Sequence, residues 1–182
     1  MRGYFAIGIE GVSKPGNIGN LLRTAHGFGA AFVFTLRPQL TAEQKTGIRP
    51  GDVDTSKTGA SVPYFEYRSV AEMSLPKGCQ LIGVEITDEA TELPSFRHPL
   101  QAAYILGSER LSLSEPVLEA CDHVIKIPTK FSLNVATAGA IVMYDRLITL
   151  GKFAGRPVTP SGGGEPVPEH VHGGVVIRQS KN

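Results

Sequence analysis

Pro15-Gly16-Asn17-Ile18-Gly19-Asn20-Leu21-Leu22-Arg23-Thr24-Ala25 lies between two short apolar runs, Tyr4–Ile9 and Ala31–Leu36. At 100° per residue, Ile18, Leu21, Leu22, Ala25 and Phe28 share one arc, while Asn17, Asn20, Arg23, Thr24 and Gly27 gather opposite. This spacing predicts a helix over Asn17–Phe28, entered through a Pro-Gly turn and flanked by strands. Its polar face carries two amides, one hydroxyl and a single guanidinium, Arg23, in place of the usual mixture of Lys and Glu. Such a face suits hydrogen bonding to a ligand, although a short solvated surface helix accounts for it equally well.

Working outward, Gln80–Ile86, Ala102–Leu106 and His123–Ile127 read as further strands, with helices near Ser69–Met73, Ser114–Ala120 and Ser132–Leu150. Alternation at this spacing argues for an α/β fold, a mostly parallel sheet with helices on both faces. Sheets of this kind bind ligands beyond the carboxyl ends of their strands. Arg37–Pro63 is polar, punctuated by Gly and Pro, and too long for a passive connection, so it reads as a functional or mobile loop. Residues 1–154 are expected to form one domain. Residues 155–182, with four Pro and six Gly, read as a disordered tail. His170 and His172 lie in that tail without further ligands, so no metal site is expected.

The 182 residues, 41% hydrophobic and 19% charged, have the composition of a soluble globular protein. The first apolar run is too short for a signal peptide, and no window reaches the length of a membrane span. Cys79 and Cys121 match no metal spacing and read as reduced thiols, which points to the cytoplasm. The formal net charge is only +1, yet residues 1–70 hold eight Lys/Arg against five Asp/Glu and residues 71–154 hold seven against ten. A modest positive bias thus surrounds the Arg23 helix and is compatible with phosphate contact. No Gly-x-Gly-x-x-Gly follows a strand and no P-loop is present, which argues against NAD and ATP chemistry.

Two later segments complete the pattern. In Tyr104-Ile105-Leu106-Gly107-Ser108-Glu109-Arg110-Leu111-Ser112-Leu113-Ser114 an apolar strand ends in a glycine that lets a ligand approach the backbone, with Glu109 just beyond. A strand-to-helix loop capped by Ser114, with Glu109 as a surface charge, is the plainer reading. In Ile127-Pro128-Thr129-Lys130-Phe131-Ser132-Leu133-Asn134 a strand stops at Pro128, and Ser132 is placed to cap the last helix. Small residues follow, Ala136, Ala138, Gly139 and Ala140, which permit close approach of another backbone or simple core packing.

Asn17-x-Gly19-x-x-x-Arg23-x-Ala25, Gly107-x-Glu109 and Ser132-Leu133-Asn134, in this order, resemble the three motifs of the SpoU/TrmH-type RNA methyltransferases of the SPOUT superfamily, over about residues 3–151. The second motif departs from the family pattern, with Arg110 and Ser112 where glycines are usual. The resemblance implies a deep C-terminal trefoil knot (the SPOUT or α/β-knot fold) and a homodimer whose active site is shared between subunits. It also implies S-adenosylmethionine as cofactor and methylation of a ribose 2′-hydroxyl in tRNA or rRNA. On these positions it makes Arg23, Asn17, Glu109, Ser132 and Asn134 the catalytic set. Leu106, Gly107, Ile127 and Leu133, with Glu85 as a third wall, would form the cofactor site. A guanidinium with a pKa above about 12 is a poor base, so Arg23 is better suited to binding phosphate and stabilising an alkoxide. Glu109 could fix Arg23, and Asn17 and Asn134 could orient ribose or arginine. Arg37, Arg49 and Lys57 could track phosphates or merely solubilise their loop. A non-catalytic RNA-binding or assembly factor on the same scaffold is the alternative, with Arg110 and Ser112 weakening cofactor binding.

Overall fold

Strand β1 (Tyr4–Glu10) is buried from its second residue to its last, as a central strand covered on both faces requires. The computed structural model describes residues 3–41, 62–108 and 112–153. These belong to a unit spanning Met1–Gly151, apart from Lys152 and Phe153 of a second unit, Lys152–Asn182. The first unit contains β2 (Phe32–Leu36), β3 (Tyr64–Tyr67), β4 (Gln80–Val84), β5 (Thr91–Glu92), β6 (Gln101–Leu106) and β7 (His123–Lys126). Its α-helices are α1 (Pro15–Phe28), α2 (Glu115–Ala120) and α3 (Val135–Leu150). All pairings are parallel, in the order β3-β2-β1-β6-β4-β7-β5.

The two faces of the sheet carry different helices. On one, Ile7, Ile9, Ile82 and Tyr104 pack with Ile18, Leu21, Leu22 and Ala25 of α1 and with Val142 and Met143 of α3. On the other, Ala6, Phe34, Ala103 and Ile105 pack with Val117 of α2 and with Val70 of a single 3-10 turn, Val70–Glu72. The α1 helix ends at Gly29, whose left-handed φ of 74° lets its N–H reach the Ala25 and His26 carbonyls. Helices α1 and α3 lie side by side. Gly139 permits that contact, because a Cβ there would sit 2.7 Å from the Leu21 side chain and 3.2 Å from that of Ile7.

Near the amino end of β6 lies a buried polar chain. Arg146 is fully enclosed and donates to the carbonyls of Pro99 (2.5 Å), Leu100 (2.9 Å) and Tyr4 (3.3 Å) and to the Tyr104 hydroxyl (3.2 Å). With His98 neutral, Tyr104 Oη donates to Nδ1 at 2.6 Å and Nε2 donates to Asp145 Oδ2 at 2.9 Å. Burial pushes Tyr104 up to about 12 and holds His98 below its ordinary value, against the opposing pull of Asp145.

The strand-helix alternation and the parallel sheet agree with the sequence reading. Two short strands, β3 and β5, are additions to it. The helix expected near Ser69–Met73 is only the 3-10 turn, in which Ser69 Oγ accepts from the Glu72 N–H. Of the irregular segment 37–63, residues 42–61 lie outside the described residues, as do residues 154–182 with His170 and His172. Among the described residues no helix is long and apolar enough to cross a membrane.

Candidate active site

The carboxyl ends of β4, β6 and β7 open into a cavity of about 240 Å³. Since these strands are neighbours and parallel, the segments leaving them converge at one edge of the sheet. Leu106, Gly107, Ile127, Leu133 and Glu85, the five residues expected around a cofactor, all line this cavity, and Ser132 lines it too. Ser112, where the family pattern has glycine, is also part of its wall. Val84, Leu106, Ile127, Leu133, Val135 and Ala138 give it an apolar interior. Among the described residues that line it there is no His, Cys or Asp. Its described polar side chains are Glu85, Lys126, Thr129, Ser108, Ser112 and Ser132, so apolar surface and hydrogen-bonding groups meet in one slot, as in a small-molecule binding site.

The first and third motifs meet through two amides. Asn134 Nδ2 donates to Asn17 Oδ1 at 3.3 Å, joining the start of α3 to the start of α1. Asn134 Oδ1 accepts from the N–H groups of Ala136 (3.0 Å) and Thr137 (3.4 Å). The N-cap of α3 is therefore Asn134, not Ser132 as expected. Both residue types cap well, but only Asn134 directly precedes the first helical residue, while Ser132 faces the cavity. Asn17 is buried rather than displayed on the polar face of α1.

Arg23 is exposed on α1 and makes no hydrogen bond or ion pair with any described residue. It does not line the cavity, nor do Asn17 and Asn134. Glu109 and Arg110 lie outside the described residues, as do Arg49 and Lys57. Arg37 is committed elsewhere. Its guanidinium pairs with Glu10 Oε1 and donates to Ser114 Oγ at 2.5 Å. Glu10 Oε2 accepts from the Ser114 N–H at 2.8 Å, and Glu85 Oε2 accepts from the neighbouring Leu113 N–H at 2.8 Å. Glu10 was missed from sequence, although it occupies the end of β1 much as Glu85 follows the end of β4.

Comparison with known proteins follows the same lines. Residues 4–144 match the model of the SpoU rRNA methylase family. A Burkholderia 23S rRNA (guanosine-2′-O-)-methyltransferase, RlmB, is 29% identical over 146 residues, covering 76% of this chain and 57% of that protein. Across the first curated relatives it matches, the chain spans 9% to 63% of their length. The SpoU methyltransferase AviRb of Streptomyces viridochromogenes, solved with AdoMet, superposes with a TM-score of 0.68 at 20% identity, over 81% of this chain and 61% of that one. A protein solved for insight into 2-OH methylation of C/U34 on tRNA gives a TM-score of 0.67 at 24% identity, over 82% of this chain and 92% of that one. At these identities the two structures speak for a shared fold. With a family match that spans the described sheet, α1 and the first ten residues of α3, this chain belongs to the SpoU rRNA methylase family.

Proposed function

We propose that this protein transfers a methyl group from S-adenosylmethionine to a ribose 2′-hydroxyl of tRNA or rRNA. The observation that carries this reading is the cavity, where all five residues expected around the cofactor line one wall-to-wall slot with Ser132. Its apolar interior suits an adenine ring, and Gly107, without a side chain, lets the ring's edge approach the backbone. AviRb, solved with AdoMet, has the same fold. When bound, the cofactor would supply an electrophilic methyl. The cavity's own residues would exclude water and fix the direction of attack, and in-line geometry accounts for much of such a reaction.

Arg23 would then act at the hydroxyl. Its guanidinium stays protonated, so it would bind the neighbouring phosphate and stabilise the developing alkoxide. Because Arg23 does not line the cavity of its own chain, a second copy is the natural source of this group. The homodimer is supported by exposed apolar side chains on the paired helices α1 and α3, where Phe28 meets Tyr144 edge-on at 6.5 Å and Tyr144 and Ile148 are 52% and 37% exposed. We propose the trefoil knot on the placing of β6 between β1 and β4 and on the return of α3 to α1. A cytoplasmic site of action, where tRNA and rRNA are modified, belongs to the same reading.

The test is a pair of titrations with one variant. Calorimetry should show S-adenosylmethionine binding to the wild-type protein, and the protein should add ribose methyl groups to total RNA from cells lacking it. Arg23→Ala should abolish transfer while changing cofactor affinity less than about twofold, in line with an interaction made only in the transition state. No cofactor binding by the folded wild-type protein would sink the enzymatic reading and leave an RNA-binding factor on this scaffold.

A further inference from the structure

Strand β6 lies between β1 and β4, and the chain at Leu113 and Ser114 lies beside the ends of both neighbours. Each neighbour carries a carboxylate there, Glu10 as the last residue of β1 and Glu85 just after β4. Successive N–H groups of an extended chain point to opposite sides. At these two residues they are taken one by each side, Leu113 N–H by Glu85 and Ser114 N–H by Glu10, both at 2.8 Å. Two carboxylates thus continue the sheet's hydrogen bonding where its strands have ended.

Glu10 is secured further. It is 5% exposed, accepts from Ser114 Oγ at 2.7 Å and is paired with Arg37. Arg37 is the single non-glycine residue with positive φ among the described residues, at 48°. A left-handed arginine is a strained choice that persists only where its surroundings hold it. Here its side chain closes a ring of Arg37, Glu10 and Ser114. Between the end of β6 and this anchor lie six residues, 107–112, of which Gly107, Ser108 and Ser112 line the cavity.

We infer that Glu10 and Glu85 form a two-sided clamp on Leu113 and Ser114 that positions the adjoining Ser112 in the wall of the cavity, with Glu10 acting entirely through Ser114. The cofactor consequence rests on the proposed S-adenosylmethionine reading; the clamp itself does not. Charge-assisted bonds to backbone N–H groups are among the stronger ones available, and a wall residue left unanchored must be ordered anew by each ligand.

Two measurements test it on the full chain. In the free protein, amide hydrogen exchange at Leu113 and Ser114 should be slow in the wild type. Exchange at Ser114 should accelerate at least about tenfold in Glu10→Ala, and at Leu113 in Glu85→Ala. Glu10→Gln should restore most of the protection, because its amide oxygen still accepts, and this rescue separates positioning from general loss of stability. In cofactor titration, Glu10→Ala should raise the Kd and KM for S-adenosylmethionine about tenfold with kcat at saturation largely kept. Unchanged exchange in both alanine variants overturns the clamp, as does unchanged affinity in a folded Glu10→Ala whose wild type binds the cofactor. A wild type that shows the exchange pattern but binds no S-adenosylmethionine overturns the functional reading and leaves the clamp standing.

Discussion

His98 sits between the Tyr104 hydroxyl and the Asp145 carboxylate, and its burial disfavours the imidazolium more than Asp145 favours it. Its folded-state pKa is therefore below the unfolded value of about 6.5. In the interval between the two the unfolded chain binds the extra proton, so stability rises with pH through that window. The contribution is complete above about pH 6.5 and is lost as the pH falls below it, with a slope of at most about 1.4 kcal/mol per pH unit. Urea midpoints measured at pH 7.5 and 5.5 should show this loss, and His98→Gln should reduce it. Nothing local in the sequence announces this chain of groups. Arg146 follows Asp145 on a helix, where two charged neighbours ordinarily read as solvated, and its burial is explained by acceptors far away in sequence, the carbonyls of Pro99, Leu100 and Tyr4 and the Tyr104 hydroxyl. Glu10 escaped notice for the same reason, since its partners stand 27 and 104 residues away.

At the scale of elements, the start of α3 is the most diagnostic point. Asn134→Ala removes a side-chain oxygen that accepts from two helical N–H groups and should destabilise the protein by about 1 kcal/mol in denaturant unfolding. Ser132→Ala should leave stability within about 0.5 kcal/mol. Equal effects of the two would return the cap to Ser132. The long elements were legible because each shows its own period. The arc of Ile18, Leu21, Leu22 and Ala25 is the buried face of α1, and the run from Tyr4 is β1 extended by a single residue. The short ones were not. Strand β3 is four residues at the sheet's edge with Phe65 and Glu66 exposed, and β5 is two exposed residues defined only by pairing with β7. Such strands exist by virtue of a neighbour and carry no period of their own. That residues at the ends of β4, β6 and β7 share one cavity follows from strands that run parallel, whereas the choice between Ser132 and Asn134 as cap turns on one residue of helix boundary.

For the whole molecule, the decisive question is how Arg23 and the cavity are brought together. If a second copy supplies the arginine, sedimentation at micromolar concentration should give a dimer. Mixing Arg23→Ala with a cavity variant such as Gly107→Leu should restore part of the activity that each lacks alone, because one of the two sites in a mixed dimer is intact. A monomer that transfers methyl groups would overturn the shared site.

The order of the strands also bears on how the protein comes into being. Tyr4 stands opposite Gln101, so the first strand made must wait for nearly a hundred further residues before one of its two partners exists. The cavity is slower still to appear, since its walls run from Val84 to Ala138. During synthesis, β1, α1 and β2 can assemble early, but the slot has no floor until Ala138 has left the ribosome. Pairing over such separations is slow to form and leaves strand edges exposed meanwhile. A nascent chain of this protein is thus unable to hold a ligand in this slot until the first turn of α3 has emerged.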